Sequence, residues 1–171
     1  MIFRPELPIA HGPQWTDQLA TWCARRIPHV GVDADGRHLF GECWAVGVMR
    51  AGRLAAAVVF SDYHPGYGTV QLSCAAARPG LARWATPDVL GAILGAAFEG
   101  KLGAPVRKVW TATPSTAKGV VKFNAHVGFK QEAVLREHYA PKVHAVICSM
   151  MANEWRRRYG VREDASKPCE S

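Results

Sequence analysis

Three consecutive residues, Asp62-Tyr63-His64, put a carboxylate, a phenol and an imidazole side by side, a set able to take up, hold and pass on a proton. A polar hairpin loop is the plainer reading of the same residues. A second cluster, Arg78-Pro79-Gly80-Leu81-Ala82-Arg83, sets two guanidiniums around a glycine just ahead of a predicted helix. Fixed positive charge, unpaired N–H groups at a helix start and a glycine for close approach are what a diphosphate needs. A turn with two solvated arginines is the alternative. The five cysteines, Cys23, Cys43, Cys74, Cys148 and Cys169, are odd in number and contain no C-x-x-C pair. They read as reduced thiols, the first four packed as small hydrophobes in apolar surroundings, which suits a cytoplasmic protein and indicates no zinc. His11, His29, His38, His126 and His144 show no metal-ligand spacing, and the first three read as exposed loop residues.

The formal charge of +7 admits a phosphate-bearing partner, either a nucleic acid or a nucleotide cofactor. Lys and Arg are spread along the chain, however, and the densest run, Arg156-Arg157-Arg158, reads as a solvated helix end rather than a basic stripe interleaved with aromatics. No run approaches the roughly 18 apolar residues of a membrane span. A secretory leader is not expected, because Pro5, Glu6, Pro8 and Pro13 interrupt the start. With 171 residues, 49% of them hydrophobic, the chain can bury one core. A single domain over 1–160 with a flexible tail at 161–171 is expected.

These groups must be held by regular elements. Trp15, Leu19, Trp22 and Cys23 recur at helical spacing from Gln14 to Arg26, and Pro28 stops the pattern. Glu42 to Met49 and Leu54 to Phe60 form a hairpin across Arg50-Ala51-Gly52-Arg53. Thr69 to Ala77 is a third strand. Thr86 caps the clearest helix, with Pro87 and Asp88 in its first turn, an apolar repeat from Val89 to Phe98, and Gly100 and Gly103 closing it. Val106 to Thr113 is a strand, Ser115 or Thr116 starts another helix, and Gly128 ends it. Lys130 to His138 and Val143 to Met151 are the last strands, with a frayed tail after Arg158. This is an α/β (α+β) order, a mixed sheet with helices packed on it, locally parallel in its middle where a strand, a helix and a strand follow one another.

Both the order and the wording resemble the GNAT superfamily of N-acetyltransferases. Val127-Gly128-Phe129-Lys130-Gln131-Glu132-Ala133-Val134-Leu135-Arg136-Glu137 is similar to the family's "LGF-x-x-EG-x-x-R" passage. Cys148-Ser149-Met150-Met151 with Glu154-Trp155 is similar to the "YSML…EW" ending of the ribosomal-protein-acetylating branch. Trp84-Ala85-Thr86 leading into Val89-Leu90 and Ala96-Ala97-Phe98 is similar to that branch's cofactor-helix region. The resemblance implies a mostly antiparallel central sheet of six to seven strands with helices on both faces, and acetyl-CoA as cofactor. It further implies that Ala75, Ala76 and Ala77 hold the pantetheine arm, that Arg78, Gly80, Leu81, Ala82 and Arg83 hold the pyrophosphate, and that Phe123 belongs to the cofactor set.

Departures from the family pattern carry as much information. Arg78 is followed three residues on by Leu81, so the Arg/Gln-x-x-Gly-x-Gly/Ala phosphate signature is missing. Asn124 stands where many members carry a tyrosine acid, and Gln71 where many carry a glutamate. An amide titrates in neither place. Acetyl transfer still needs a neutral amine, a polarised thioester carbonyl and a proton for the departing thiolate. The candidates for that work are Asp62, Tyr63, His64, Ser73, Asn124 and Tyr139, the last beside His138.

Direct acetyl transfer to an amine is therefore the expected function. A GNAT-fold enzyme modifying adenine in nucleic acid, similar to the phage Mom-type proteins, and a module that binds CoA or DNA without turnover are the alternatives. The protein is expected to be a monomer or a homodimer formed through its final strands, with an amine as its partner and no membrane.

Overall fold

Apolar residues that alternate along several short runs must pair into a sheet, and the helices between them must cover its faces. The computed structural model describes residues 9–77, 84–101 and 103–160. In chain order its elements are β1 (Ile9–His11), α1 (Pro13–Ala24), β2 (Cys43–Arg50), β3 (Arg53–His64), β4 (Thr69–Ala76), α2 (Pro87–Phe98), β5 (Lys108–Pro114), α3 (Lys118–Val127), β6 (Lys130–Ala140), β7 (Val143–Met151) and α4 (Ala152–Tyr159). They form one seven-stranded sheet in the order β1-β2-β3-β4-β5-β7-β6. Only β4 and β5 run parallel; every other neighbouring pair is antiparallel. The mixed sheet and its parallel middle are as expected.

Helices cover both faces. On one, Leu19, Ala20 and Cys23 of α1 pack on Ala45, Ala57, Val59 and Ala75. On the other, Val89, Ile93, Leu94 and Ala97 of α2, Val127 at the end of α3 and Trp155 of α4 share a core with Val46, Val58, Phe60, Val109 and Met150. β3 is buried continuously from Ala55 to Ser61 because it is covered on both sides, whereas β6 at the sheet edge is exposed along nearly its whole length. α2 begins as its residues dictate, with the Thr86 hydroxyl accepting the Val89 N–H, Pro87 in the first turn and Asp88 at the positive end of the dipole. α3 stops at Gly128, whose φ of 109° lies in the region that favours glycine.

Several boundaries differ from expectation. β1 was not foreseen, since three residues carry no periodicity and are placed only by pairing with Val46 to Val48. α4 extends back to Ala152 from the basic helix end expected at Arg156-Arg157-Arg158: Trp155 is its single buried residue, so no apolar stripe announces its start. Its start is fixed by the Glu154 carboxylate, which accepts the Met151 N–H at 2.9 Å and pairs with Lys130 at 2.6 Å. α3 starts at Lys118, past Ser115 and Thr116. β3 runs on to His64 through a bulge where Asp62 has φ 51°, so Asp62-Tyr63-His64 is a strand end rather than a loop. The family-like passage also finds its physical role: the Glu132 carboxylate accepts from Lys108 Nζ (2.5 Å) and Ser149 Oγ (2.6 Å), tying β6 to β7 and β5 and holding its pKa below the usual carboxylate range. Among the described residues no helix is long and apolar enough to cross a membrane.

Candidate functional site

The sheet has one internal opening. β4 and β5 pair only over Thr69–Lys108, Val70–Val109 and Gln71–Trp110, and the C-terminal halves of both strands then have no partner in each other. Hydrogen-bond alternation decides what those halves present. The Ala77 N–H donates to the Ala55 carbonyl at 2.8 Å, continuing the β3–β4 register, so Ala75 and Ser73 exchange bonds with β3. Cys74 and Ala76 therefore aim their N–H and C=O groups at the opening. On the other side, Ser115 donates to His144 and Ala152 to Arg107, at the two ends of the β5–β7 register. Thr113, Thr111 and Val109 thus bond to β7, and Ala112 and Pro114 face the opening. The result is a splay between two strand edges, closed at Gln71–Trp110 and widening toward Ala76 and Pro114.

Tyr139 reaches this splay. A bulge between Leu135 and Ala140, with Glu137 at φ 49°, turns β6 out of register and redirects the ring, so that the Tyr139 hydroxyl donates to the Ala112 carbonyl at 3.0 Å. Burial raises its phenol above the ordinary value, so it stays protonated at neutral pH. The His29 ring lies against it, with centroids 4.5 Å apart, and His138 meets it edge-on at 4.9 Å. Partial burial, followed by the nearby His138, lowers the His29 pKa below 6.5. Nothing in the sequence distinguished His29, because the contact joins residues from opposite ends of the chain.

Asn124 lies on the far face of the sheet with a different task. Its amide donates to the hydroxyls of Thr111 and Thr113, each at 3.2 Å, and all three residues are buried. It fastens α3 to the diverging half of β5. Asn124→Ala is expected to lower the unfolding free energy by about 2–3 kcal/mol, since two buried hydroxyls lose their partner. Urea unfolding monitored by circular dichroism reads this directly, and an unchanged midpoint would show that the splay does not depend on the bond. Next to Asn124, Phe123 meets the Trp84 ring with centroids 5.9 Å apart, beside the start of α2.

Ser73 and Ala75 project toward α1, and Cys74 toward the α2 side. Burial pushes the Cys23 thiol up to about 12 and the Cys43 thiol to about 11, and raises Cys74 and Cys148 as well. All four are therefore protonated and poor nucleophiles at neutral pH. Ser73, Asn124 and Tyr139 thus surround the splay, together with Ala75 and Ala76 on its β4 edge and Ala77 just beyond. Asp62, Tyr63 and His64 do not join them: His64 pairs with Thr69, at the closed end of the sheet. There the His64 Nε2 and Asp62 Oδ1 are 3.1 Å apart, with both side chains half exposed. Arg78, Gly80, Leu81, Ala82 and Arg83 lie outside the described residues. His144 is occupied structurally, its Nδ1 accepting from the Glu137 N–H at 3.0 Å. Among the described residues no group of three His, Cys, Asp or Glu side chains is arranged to hold a metal.

No protein-family model matches the sequence, and no curated protein matches it. Solved structures do resemble it. A chimera built on the spermidine N-acetyltransferase of Vibrio cholerae superposes with a TM-score of 0.59 at 12% identity, over 69% of this chain and 73% of that one. A mutant form of the spermidine/spermine N-acetyltransferase of the same organism gives 0.58 at 12% identity, over 68% and 70%. The ribosomal-protein alanine acetyltransferase of Vibrio fischeri gives 0.54 at 10% identity, over 66% and 63%. The architecture is the GNAT acetyltransferase fold, as the sequence resemblance implied.

Proposed function

We propose that this protein transfers an acetyl group from acetyl-CoA directly to a primary amine, with the β4–β5 splay as the reaction site. The observation that carries this reading is the pair of inward-facing strand edges with the Tyr139 hydroxyl on one of them. An extended chain bearing amides, such as a pantetheine arm, fits an edge that alternates N–H and C=O groups at Cys74 and Ala76, so the residues present suit this cofactor. Arg78 and Arg83 follow β4 in sequence, on either side of Gly80, and supply charge of the right sign for its diphosphate. The Thr86 hydroxyl already takes the Val89 N–H, and Asp88 occupies the first turn of α2, so the two arginines rather than that helix start are the phosphate-binding groups.

Acetyl-CoA when bound supplies the activated acyl group. The chain's own groups divide the remaining work. The Cys74 N–H polarises the acyl oxygen, and Tyr139, kept protonated by burial, gives its proton to the departing sulfur. The raised thiol pKa values of Cys23 and Cys74 keep both from acting as an acyl-accepting nucleophile, in keeping with direct transfer. Spermidine is the acceptor in the names of two of the similar structures. A chain with a formal charge of +7 repels a polycation, so an acceptor of lower positive charge is the better expectation here.

Calorimetric titration with acetyl-CoA, and with free CoA for comparison, tests the reading. Micromolar binding followed by acetylation of a small amine is the expected result. Absence of any binding would sink it and favour nucleic-acid modification with another donor.

A further inference from the structure

We propose that His29 is the general base that removes the proton from the acceptor amine. The inference rests on the acetyl-transfer reading above and adds to it the half of the proton path that Tyr139 does not supply.

The path of the chain after α1 brings His29 to the splay. α1 packs over β2, β3 and β4, and near its C-terminal end the Cys23 thiol lies on the Ala57 carbonyl. Five residues after the end of that helix, His29 touches Tyr139 of β6, whose hydroxyl lies on Ala112 of β5. The intervening residues must therefore cross above the gap between β4 and β5, on the face opposite α2 and α3. His29 is thus held at the mouth of the splay, half exposed, where an incoming amine would pass it.

A primary ammonium is protonated at neutral pH and cannot attack a carbonyl until it loses a proton. Several groups that the sequence marks for proton handling are poorly placed to accept it. Asp62 and His64 sit at the closed end of the sheet, Glu132 is engaged by Lys108 and Ser149, and Gln71 does not titrate. His29 faces Tyr139 and His138, both from β6, and no carboxylate acts to stabilise its charged form. It is accordingly neutral at pH 7 and ready to accept. The steps balance as follows. R–NH3⁺ passes one proton to the His29 ring, the freed nitrogen bonds to the acyl carbon, and the carbon–sulfur bond breaks. The sulfur takes the Tyr139 proton, and Tyr139 recovers one from the nitrogen as it becomes the amide. The products are R–NH–acetyl, the free thiol and protonated His29, which returns its proton to water.

Two nucleophiles separate this proposal from the reading beneath it. Propylamine is protonated at pH 7 and needs a base, whereas hydroxylamine is already neutral. For His29→Gln the ratio of the propylamine rate to the hydroxylamine rate should fall by about 100-fold or more, the scale of general-base catalysis. Imidazole added to the variant should restore part of the loss. Independently of turnover, NMR titration of the wild-type protein without cofactor should show the His29 ring titrating below 6.5. An unchanged ratio in the variant, or a His29 ring that remains mostly protonated at pH 7, would overturn the proposal. A wild-type protein that acetylates neither nucleophile would instead overturn the acetyl-transfer reading, and the base with it.

Discussion

Trp155→Ala should lower the unfolding free energy by about 3–5 kcal/mol, the cost of deleting a buried aromatic side chain. Trp155 is 3% exposed and is the single buried residue of α4, with Ala152 and Tyr159 packed partly buried against the same core. Its Nε1 donates to the Gly91 carbonyl at 3.1 Å, and its ring lies 5.6 Å from that of Phe98. Gly95 makes the approach possible: a Cβ there would stand 2.8 Å from the indole ring. Removing the indole leaves a cavity between α2 and α4 that the rigid sheet beneath cannot close. For a chain of this length each kcal/mol moves the melting temperature by roughly 2–4 °C, so thermal unfolding resolves the effect easily. A double-mutant cycle sharpens the test. Gly95→Ala alone should destabilise through the collision, but in the Trp155→Ala background it should stabilise by about 0.5–1 kcal/mol, the ordinary gain of alanine over glycine within a helix. A Trp155→Ala protein within about 1 kcal/mol of wild type would show that α4 contributes little to the core.

Tyr139→Phe should reduce kcat for acetyl transfer by about 10²–10⁴-fold, for hydroxylamine and propylamine alike, because both reactions need a proton on the departing sulfur. The same change should cost only about 1 kcal/mol of stability, since it removes one hydrogen bond to a carbonyl that faces an open splay where water can replace it. This contrast separates a chemical role from a structural one. Burial raises the phenol above its ordinary 10.0, so the proton is retained through the neutral range and the descending limb of the wild-type profile should lie above pH 10. A Tyr139→Phe protein with wild-type kcat would remove Tyr139 from the proton path and leave it as a brace on β5. An equal loss of stability and activity would point the same way.

Much of the framework followed from local chemistry. α2 was readable because its cap, its first-turn proline and acid and its apolar repeat all agree, and each acts within one or two turns of chain. The strands from β2 to β7 were readable because side chains two apart share a face and one face must be buried. The hairpin of β2 and β3, the glycine that ends α3 and the parallel middle of the sheet followed in the same way. Elements whose existence depends on partners were not readable. β1 is three residues held by β2, and α4 is a polar helix held by Trp155 against Gly91 and by Tyr159, whose hydroxyl donates to the Val127 carbonyl.

The site divides along the same line. Residue types alone marked Tyr139, Ser73 and the arginine pair as groups able to do chemistry, and the odd, scattered cysteines as packed thiols. Tertiary structure alone decided which of them meet. Asp62, Tyr63 and His64 are neighbours in sequence, yet the register of β3 against β4 carries them to the closed end of the sheet. His29 and Tyr139 are 110 positions apart and touch. Asn124 stands where a proton donor would be expected, and its partners Thr111 and Thr113 explain it as a fastening instead. Sequence specifies each strand's faces through a period of two, a property of the chain itself. Where two strands part, and which side chains close over the gap, depends on how the strands and helices settle against one another, and no local pattern encodes that.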